Sequence, residues 1–445
     1  MTELCARRGA VPTIRLFFAG DVMLTRRLPN RYTESLCQMS NFVKTHDYCF
    51  GNLETTVHDR AGYPEAFPGG GHAMSAPATL FDLKSFGFNV FNTANNHAMD
   101  YSHGGLLETL RNLQQYDLPS AGTGKNLADA TIPAYVECCG GIVAMIGVTA
   151  SYHDSYMAGP QNRDMQGRPG INPLRYNSIY ELGPCEYESL QDIACKVGIN
   201  AYHDQARREG YMQQSENFKF GIYNFKRGEH NRLVTTPNAV DLERNLAAIR
   251  DAKRQANIVV VSIHGHQFKG CDKHTPPDFI TDFAKASIDN GADIVVCHGP
   301  HVMRGIEEYN CGLIFHGLGN FILQHESMMW LPEEQYNKQN INRSDVDGVA
   351  EFFSKRSQNR TKGLFADAKS WISFVPSITW DGASMRTEIY PIELSHGKNY
   401  GLPRLSTDYR ILEEVLELSK AFKFSFVIDK ENGKGILKEI KLKQI

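Results

Sequence analysis

Five separated segments of the 445-residue chain each run from an apolar, strand-like stretch into side chains that can hold a metal ion or move a proton. Thr13 to Ala19 (TIRLFFA) is β-branched and aromatic and ends in Gly20-Asp21. Asp47 to Phe50 leads into Gly51-Asn52-Leu53-Glu54, and Asn89 to Thr93 leads into Asn95-Asn96-His97. Ile258 to Ile263 (IVVVSI) ends in His264-Gly265-His266. Asp293 to Cys297 (DIVVC) ends in His298, with His301 close behind. In open α/β sheets, ligands gather beyond the carboxyl ends of the strands, on loops that a rigid sheet holds in place. The mix of imidazole and carboxylate suits Zn, Mn or Fe. Turn chemistry alone accounts for Asp21 and Asn52, because Asp and Asn favour turns. It does not account for three histidines at two successive strand ends.

Stretches with helical spacing lie between these strands: Pro77 to Phe86, His103 to Tyr116, Val240 to Gln255 and Pro277 to Asn290. Ala134 to Cys138 and Ile142 to Val148 read as a hairpin joined by Gly140-Gly141. Strand and helix in alternation predict an α/β fold. The alternation stops from Ser151 to about Asn231, where polar turns precede weakly helical residues from Glu186 to Gln214. This reads as an insertion over the edge of the core, placed to act as a substrate lid. Its Arg163, Arg168 and Arg175 are candidates to bind a carboxylate or phosphate bidentately, with solvated loop charges as the plainer explanation. The expected organisation is a core domain over 12–325 interrupted at about 151–231, then an irregular loop or second lid over 326–370. Antiparallel strands, a helix over Leu405 to Lys420 and two short closing strands follow over 371–445.

With 42% hydrophobic and 22% charged residues, a large core can be buried. A formal net charge of -3 offers no basic field for nucleic acid. No apolar run approaches the ~18 residues of a membrane span, and the start of the chain, with its Arg7-Arg8 pair, does not read as a secretion signal. Ten cysteines scattered without a CxxC pair read as reduced thiols in a cytoplasmic protein.

Six segments occur in the order found in one family: GDVML (Gly20 to Leu24), GNLE (Gly51 to Glu54), NTANNHAMDY (Asn92 to Tyr101), VVVSIHG (Val259 to Gly265), GADIVVCHGPHVMRGIEEY (Gly291 to Tyr309) and GLGNF (Gly317 to Phe321). Together they resemble the CapA family of capsule and poly-γ-glutamate biosynthesis proteins, a branch of the calcineurin-like metallophosphatase superfamily. The resemblance implies a four-layer α/β/β/α sandwich with a long inserted segment and a site for one or two divalent metal ions (Mn, Zn or Fe) between the sheets. It assigns Asp21, Glu54, Asn96, His264, His298 and His301 as metal ligands. His97 falls on the proton donor, with Asp100 placed to orient it. The superfamily's histidine two residues after the first aspartate is Met23 here, and its bridging aspartate is Asn52, so Glu54 is the expected bridging carboxylate. Where relatives usually carry HWG this chain has His264-Gly265-His266, and where they have SLGNF it has His316-Gly317, which adds two imidazoles that read either as cleft residues or as hydrogen-bonded loop histidines. As cleft residues, His266 is expected to be a second acid or base, with Asn52 and His316 meeting the substrate.

Two metals about 3.5–4 Å apart activate water and clamp a phosphoryl or carboxyl oxygen. A single or loosely paired ion polarises an acyl group or acidifies an α-proton, with His97 or His266 as acid and base. The expected protein is a CapA-type enzyme acting on an anionic, peptide-like or phosphorylated substrate by metal-assisted hydrolysis or acid–base chemistry. The alternatives are a peptide C-terminal α-carbon epimerase, as in the unanchored lasso-peptide members of the family, a metallophosphoesterase, and a non-catalytic accessory of a capsule synthase.

Overall fold

The chain forms, in order, β1 (Ile14–Met23), α1 (Glu34–Lys44), β2 (Tyr48–Leu53), α2 (Ala78–Phe86), β3 (Val90–Asn92), α3 (Ser102–Gln115) and β4 (Gly141–Thr149). After the inserted region come α4 (Ala239–Lys253), β5 (Ile258–His264), α5 (Asp278–Asp289), β6 (Ile294–His298), β7 (Gly312–Phe315) and β8 (Asn320–Leu323). The last third contributes α6 (Val349–Arg356), β9 (Ile372–Trp380) and β10 (Ser384–Leu394). These elements are taken from a computed structural model that describes residues 13–213, 217–396 and 400–442. The chain before Thr13, including the expected domain start at 12 and the arginine pair, lies outside the described residues, as do Gln214 and the last three positions.

β1 runs parallel to β2 and β8 and antiparallel to β9 within an 11-stranded sheet. β4, β5, β6 and β7 run parallel in a six-stranded sheet edged by Ala134–Cys138 and Ile306–Tyr309. The β-strand's two-residue period divides their side chains between separate cores. Leu16, Phe18, Phe50 and Val90 of the first sheet pack with Met145, Val260, Val296 and Phe315 of the second, so the two sheets face each other. The alternate residues Phe17, Ala19 and Phe91 pack with Leu36, Leu83 and Leu113 from α1, α2 and α3. On the second sheet, Val259, Val261 and Val295 meet Leu246, Ile249 and Phe283 from α4 and α5. Each such side chain contributes about 1.5–3 kcal/mol when fully buried, so this frame is stiff enough to fix loop side chains.

The α/β expectation holds, and several details differ. The stretch expected to be weakly helical holds the helices Pro184–Val197 and Ala201–Arg208, and on either side of it Tyr176–Leu182, Phe218–Phe220, Tyr223–Arg227 and Arg232–Pro237 form a four-stranded sheet that was not expected. Its strands are half-buried, and Phe218–Phe220 and Tyr223–Arg227, of 3 and 5 residues, are too short for their alternation to mark a strand in sequence. The sheet is anchored on α5, where the Tyr176 ring stacks on Phe279 at 4.1 Å. Residues 328–365 hold two short helices, Glu333–Lys338 and α6, around a small core of Met328, Tyr336, Phe352 and Phe353. The helix expected from Leu405 starts at Arg410, because Pro403–Leu405 pairs with β10. Among the described residues, no helix is long and apolar enough to cross a membrane.

Candidate metal centre

Strand register brings the five chain segments to one point. Asp21 lies opposite Asn52 in the β1–β2 pair, Asn52 opposite Asn92 in β2–β3, and Asn320 beside Asp21 in β1–β8. In the facing sheet His264 lies opposite His298. The turn after β6 is tight: Gly299 has φ +113°, and a Cβ there would meet the His264 ring at 3.1 Å. Glycine is therefore what allows the backbone to pass the imidazole. His301 itself sits at φ +58°, a left-handed conformation that costs an L-residue about 1–2 kcal/mol.

Three overlapping triads result: Asp21, His264 and His298; Glu54, His264 and His266; and Asp21, Glu54 and His301, with the ligand atoms of each triad within 4.8 Å of one another. His264 Nδ1 is 3.0 Å from His298 Nδ1 and 3.9 Å from Asp21, while its Nε2 is 3.1 Å from His266 Nε2 and 3.7 Å from Glu54. His301 reaches Asp21 at 3.3 Å through Nδ1 and Glu54 at 3.8 Å through Nε2. Groups behind the triads fix the rings: His298 Nε2 meets Ser262 Oγ at 2.7 Å, and His301 Nδ1 meets Asn320 Oδ1 at 2.8 Å. Partners of this kind set ring orientation in metal sites.

The donor set fits a divalent cation. Both carboxylate oxygens of Glu54 are buried without a hydrogen-bond donor, and so is the amide oxygen of Asn96, whose NH2 is held on the Gly69 carbonyl at 2.6 Å. Buried acceptors are almost always satisfied, and a cation would satisfy these. Burial and then the charge of Asp21 push the Glu54 carboxyl up to about 8. Burial also acts to raise Asp21, but its contacts with His301, His298 and Asn52 hold it below its ordinary value. His298 is held at about 4 by burial, and His264 well below its ordinary value by burial and the surrounding imidazoles. Neutral imidazole is the form that ligates a metal.

His97 stands next to this cluster. Its Nδ1 meets Asp100 Oδ2 at 2.6 Å, and Asp100 also accepts from the Gly69 and Ala73 amides at 3.0 and 2.6 Å. Despite burial, Asp100 and Glu54 raise the His97 imidazole above its ordinary value. His97, Asn96, His266 and His301 line a cavity of about 400 Å³ whose far wall comes from residues 325–365.

A family model described as "Bacterial capsule synthesis protein PGA_cap" matches residues 15–325. The chain belongs to the bacterial capsule synthesis PGA_cap family. Among its relatives is the uncharacterized protein y4sH of Sinorhizobium fredii, 29% identical over 93% of this chain and 91% of that protein. The capsule biosynthesis protein CapA of Bacillus anthracis is 26% identical over 69% of this chain and 59% of its own length. The PGA biosynthesis protein CapA of Bacillus subtilis is 27% identical over 68% of this chain and 62% of its own length.

In this PGA_cap chain, Asn52 takes a network role. Its NH2 donates to Asp21 Oδ1 at 2.9 Å and its carbonyl accepts from Asn92 and Asn95, so it braces the cluster as a neutral group. His316 and the three arginines expected to meet the substrate are not brought to the cluster. His316 is buried at the end of β7, with Nε2 on Glu307 at 3.0 Å and its ring stacked on Phe422 at 4.1 Å. Arg175 forms a bidentate pair with buried Asp241 at 2.8 and 2.9 Å. Arg168 donates to the Met157 carbonyl, and Arg163 lies exposed beside Asp164. From the inserted region, the residues that come near the cluster are Ser151, Tyr152, His153 and Tyr156, in a second cavity that shares Gly69, Asn96 and His266 with the first.

Several site residues escape the sequence reading. Asn320 lies in the GLGNF motif, where its place beside Asp21 depends on a parallel pairing that no local pattern reveals. The Gly69-Gly70-Gly71 run passes so close to Asn96 that a Cβ on Gly69 would sit 2.2 Å from the Asn96 carbonyl. That run of three glycines was the visible signal. His325, Arg356 and Lys362 carry no signal beyond their place in the irregular segment.

Proposed function

We propose that this chain is a metal-dependent enzyme of capsule-type polymer or peptide metabolism, acting on an anionic, peptide-like substrate by metal-assisted hydrolysis or acid–base chemistry. The observation that carries the reading is Glu54, a buried carboxylate with no donor at the junction of triads that also draw in Asp21 and four imidazoles. A four-layer α/β/β/α frame is part of the proposal, supported by one core between the two sheets and one outside each. The names of the two Bacillus relatives support an anionic polymer as substrate class. A cytoplasmic location is proposed on composition, from ten cysteines scattered without a CxxC pair.

Asp21, Glu54, Asn96, His264, His298 and His301 would hold one or two divalent ions, with His266 positioned to join the Glu54 triad. A bound ion supplies Lewis acidity toward a carbonyl or phosphoryl oxygen and lowers the pKa of water. Asp100 fixes His97 through Nδ1, which leaves Nε2 to give or take a proton at the substrate. The aromatic and methionine side chains of the far wall limit water around the reacting atoms.

One observation favours a second reading. Met23 and Asn52 remove two polar or anionic ligands from the pattern of phosphoesterases, while His97 and His266 both line the cavity. Two imidazoles around one carbon suit inversion of a peptide's terminal α-carbon, which needs a base and an acid. Purified protein reconstituted with Mn²⁺ should be assayed on γ-glutamyl oligomers, on an aryl phosphate, and on linear peptides in deuterium oxide. Chain cleavage that His97→Ala abolishes would support hydrolysis. Deuterium incorporation at the terminal α-carbon would support epimerisation. Turnover of the aryl phosphate alone would return the protein to the phosphoesterases. No turnover in any assay, with a partner protein retained by Asp21→Ala, would indicate an accessory role.

A further inference from the structure

The cavity over the cluster has two unlike walls. Against the imidazoles and Asn96 stand the cations Arg356 and Lys362, set beside Met328, Phe353, Leu364 and Phe365. No aspartate or glutamate lines this cavity among the described residues. The neighbouring cations on the same segment have carboxylate partners: Lys355 pairs with Glu351, and Arg360 with Glu326. Arg356 has none among the described residues. Its guanidinium lies 5.8 Å over the Phe353 ring and reaches the Gly70 carbonyl at 3.4 Å, which leaves most of its donors unused. Burial holds it below its ordinary pKa, with no nearby anion to counter the effect. His325 lines the same wall, and its Nδ1 is buried without a hydrogen-bond partner.

A planar guanidinium and an ammonium that line the same cavity while staying open to solvent, with no acidic side chain in its lining, form a receptor for a carboxylate or a phosphoryl group. The adjoining methionine and aromatic side chains add an apolar enclosure. We propose that Arg356 and Lys362 recognise the anionic group of the substrate while this enclosure takes a hydrophobic group attached next to it. The inference rests on the metal-centre reading, because the reacting atoms of such a ligand must lie against the cluster. The second cavity, which shares Gly69, Asn96 and His266 with the first, is where the remainder of the substrate would extend. Substrate selection is thereby assigned to the 325–365 segment rather than to the arginines of the inserted region.

The test is isothermal titration calorimetry on the full chain loaded with Mn²⁺, using N-acetyl-leucyl-phenylalanine, its C-terminal amide, and phenyl phosphate. The acid is expected to bind at least tenfold tighter than the amide. The R356Q/K362Q variant is expected to lose that preference while binding Mn²⁺ as the unmodified chain does, and K355Q is expected to keep it. The single variants R356Q and K362Q, each losing about threefold or more, serve if the double variant fails to fold. If phenyl phosphate shows the same dependence on both residues and the acid does not bind, the anion is a phosphoryl group and the assignment stands. Equal affinity for acid and amide, no binding of either anion, or an unchanged preference in the double variant would overturn it. Failure to bind Mn²⁺ with the acid preference intact would instead overturn the metal centre and leave the anion receptor in place.

Discussion

Replacing Glu54 by glutamine keeps the side chain's size and removes its ability to ionise, and the metal-free and metal-bound protein should respond differently. In the metal-free chain neither Glu54 oxygen has a donor, and the nearest imidazole nitrogens stand at 3.7–3.9 Å. An unsatisfied buried acceptor costs about 1–3 kcal/mol, and more when charged. Glu54→Gln should therefore leave the metal-free melting temperature unchanged or raise it. The metal-bound protein loses an anionic ligand. Outer-shell changes alone weaken metal sites about 10–100-fold, so a hundredfold loss of Mn²⁺ affinity is a conservative expectation. An ion at about 100 times its Kd stabilises the fold by about 2.7 kcal/mol, and a hundredfold weaker site at the same concentration leaves about 0.4 kcal/mol. Thermal melts with and without Mn²⁺, together with calorimetric Kd values, read both effects. A variant that binds Mn²⁺ as tightly as the parent, or that melts far lower without metal, would refute the reasoning by making Glu54 a structural residue.

Asp100→Asn leaves one acceptor oxygen for two buried donors and the part-buried Gly69 amide, and should cost about 1–3 kcal/mol in stability. It should also reduce turnover far more than Mn²⁺ affinity; equal losses of both would mean that Asp100 shapes the whole cluster rather than His97. Arg175→Met should destabilise the fold by about 1.5–3 kcal/mol, because its bidentate pair with buried Asp241 is lost, and leave ligand affinity unchanged. A selective fall in ligand binding would contradict its placement. Burial holds His58 at about 4, so below pH ~6.5 the unfolded chain binds a proton that the folded chain refuses. Its contribution is intact above pH ~6.5 and falls by up to about 1.4 kcal/mol per pH unit down to about pH 4. His58→Gln should flatten that part of the stability curve, and an unchanged slope would place the titration elsewhere.

The strands that carry the centre were legible because they are short, almost wholly buried apolar runs closed by a turn, β-branched in IVVVSIH and IVVCH and aromatic in IRLFFAG and YCFGNL. Their end residues could be gathered into one set because parallel α/β strands deliver their carboxyl ends to the same side. What escaped depends on pairing between distant segments. Asn320 owes its role to the β1–β8 register, and Asn52 acts through hydrogen bonds to Asp21, Asn92 and Asn95 rather than through its own neighbourhood. Arg175 and His316 looked available in sequence because nothing local predicts Asp241 or Glu307 as their partners. The strands of the inserted region were hidden by their shortness and partial exposure, which a small sheet lying against α5 tolerates.

The central claim is that Asp21, Glu54 and the four histidines of the triads bind a divalent metal. The most direct measurement is the metal content of the purified chain, after stripping with a chelator and reconstitution with Mn²⁺ or Zn²⁺. One to two equivalents per chain are expected, falling to background in the Asp21→Ala/Glu54→Ala variant. Background levels in the unmodified chain after reconstitution would contradict the account.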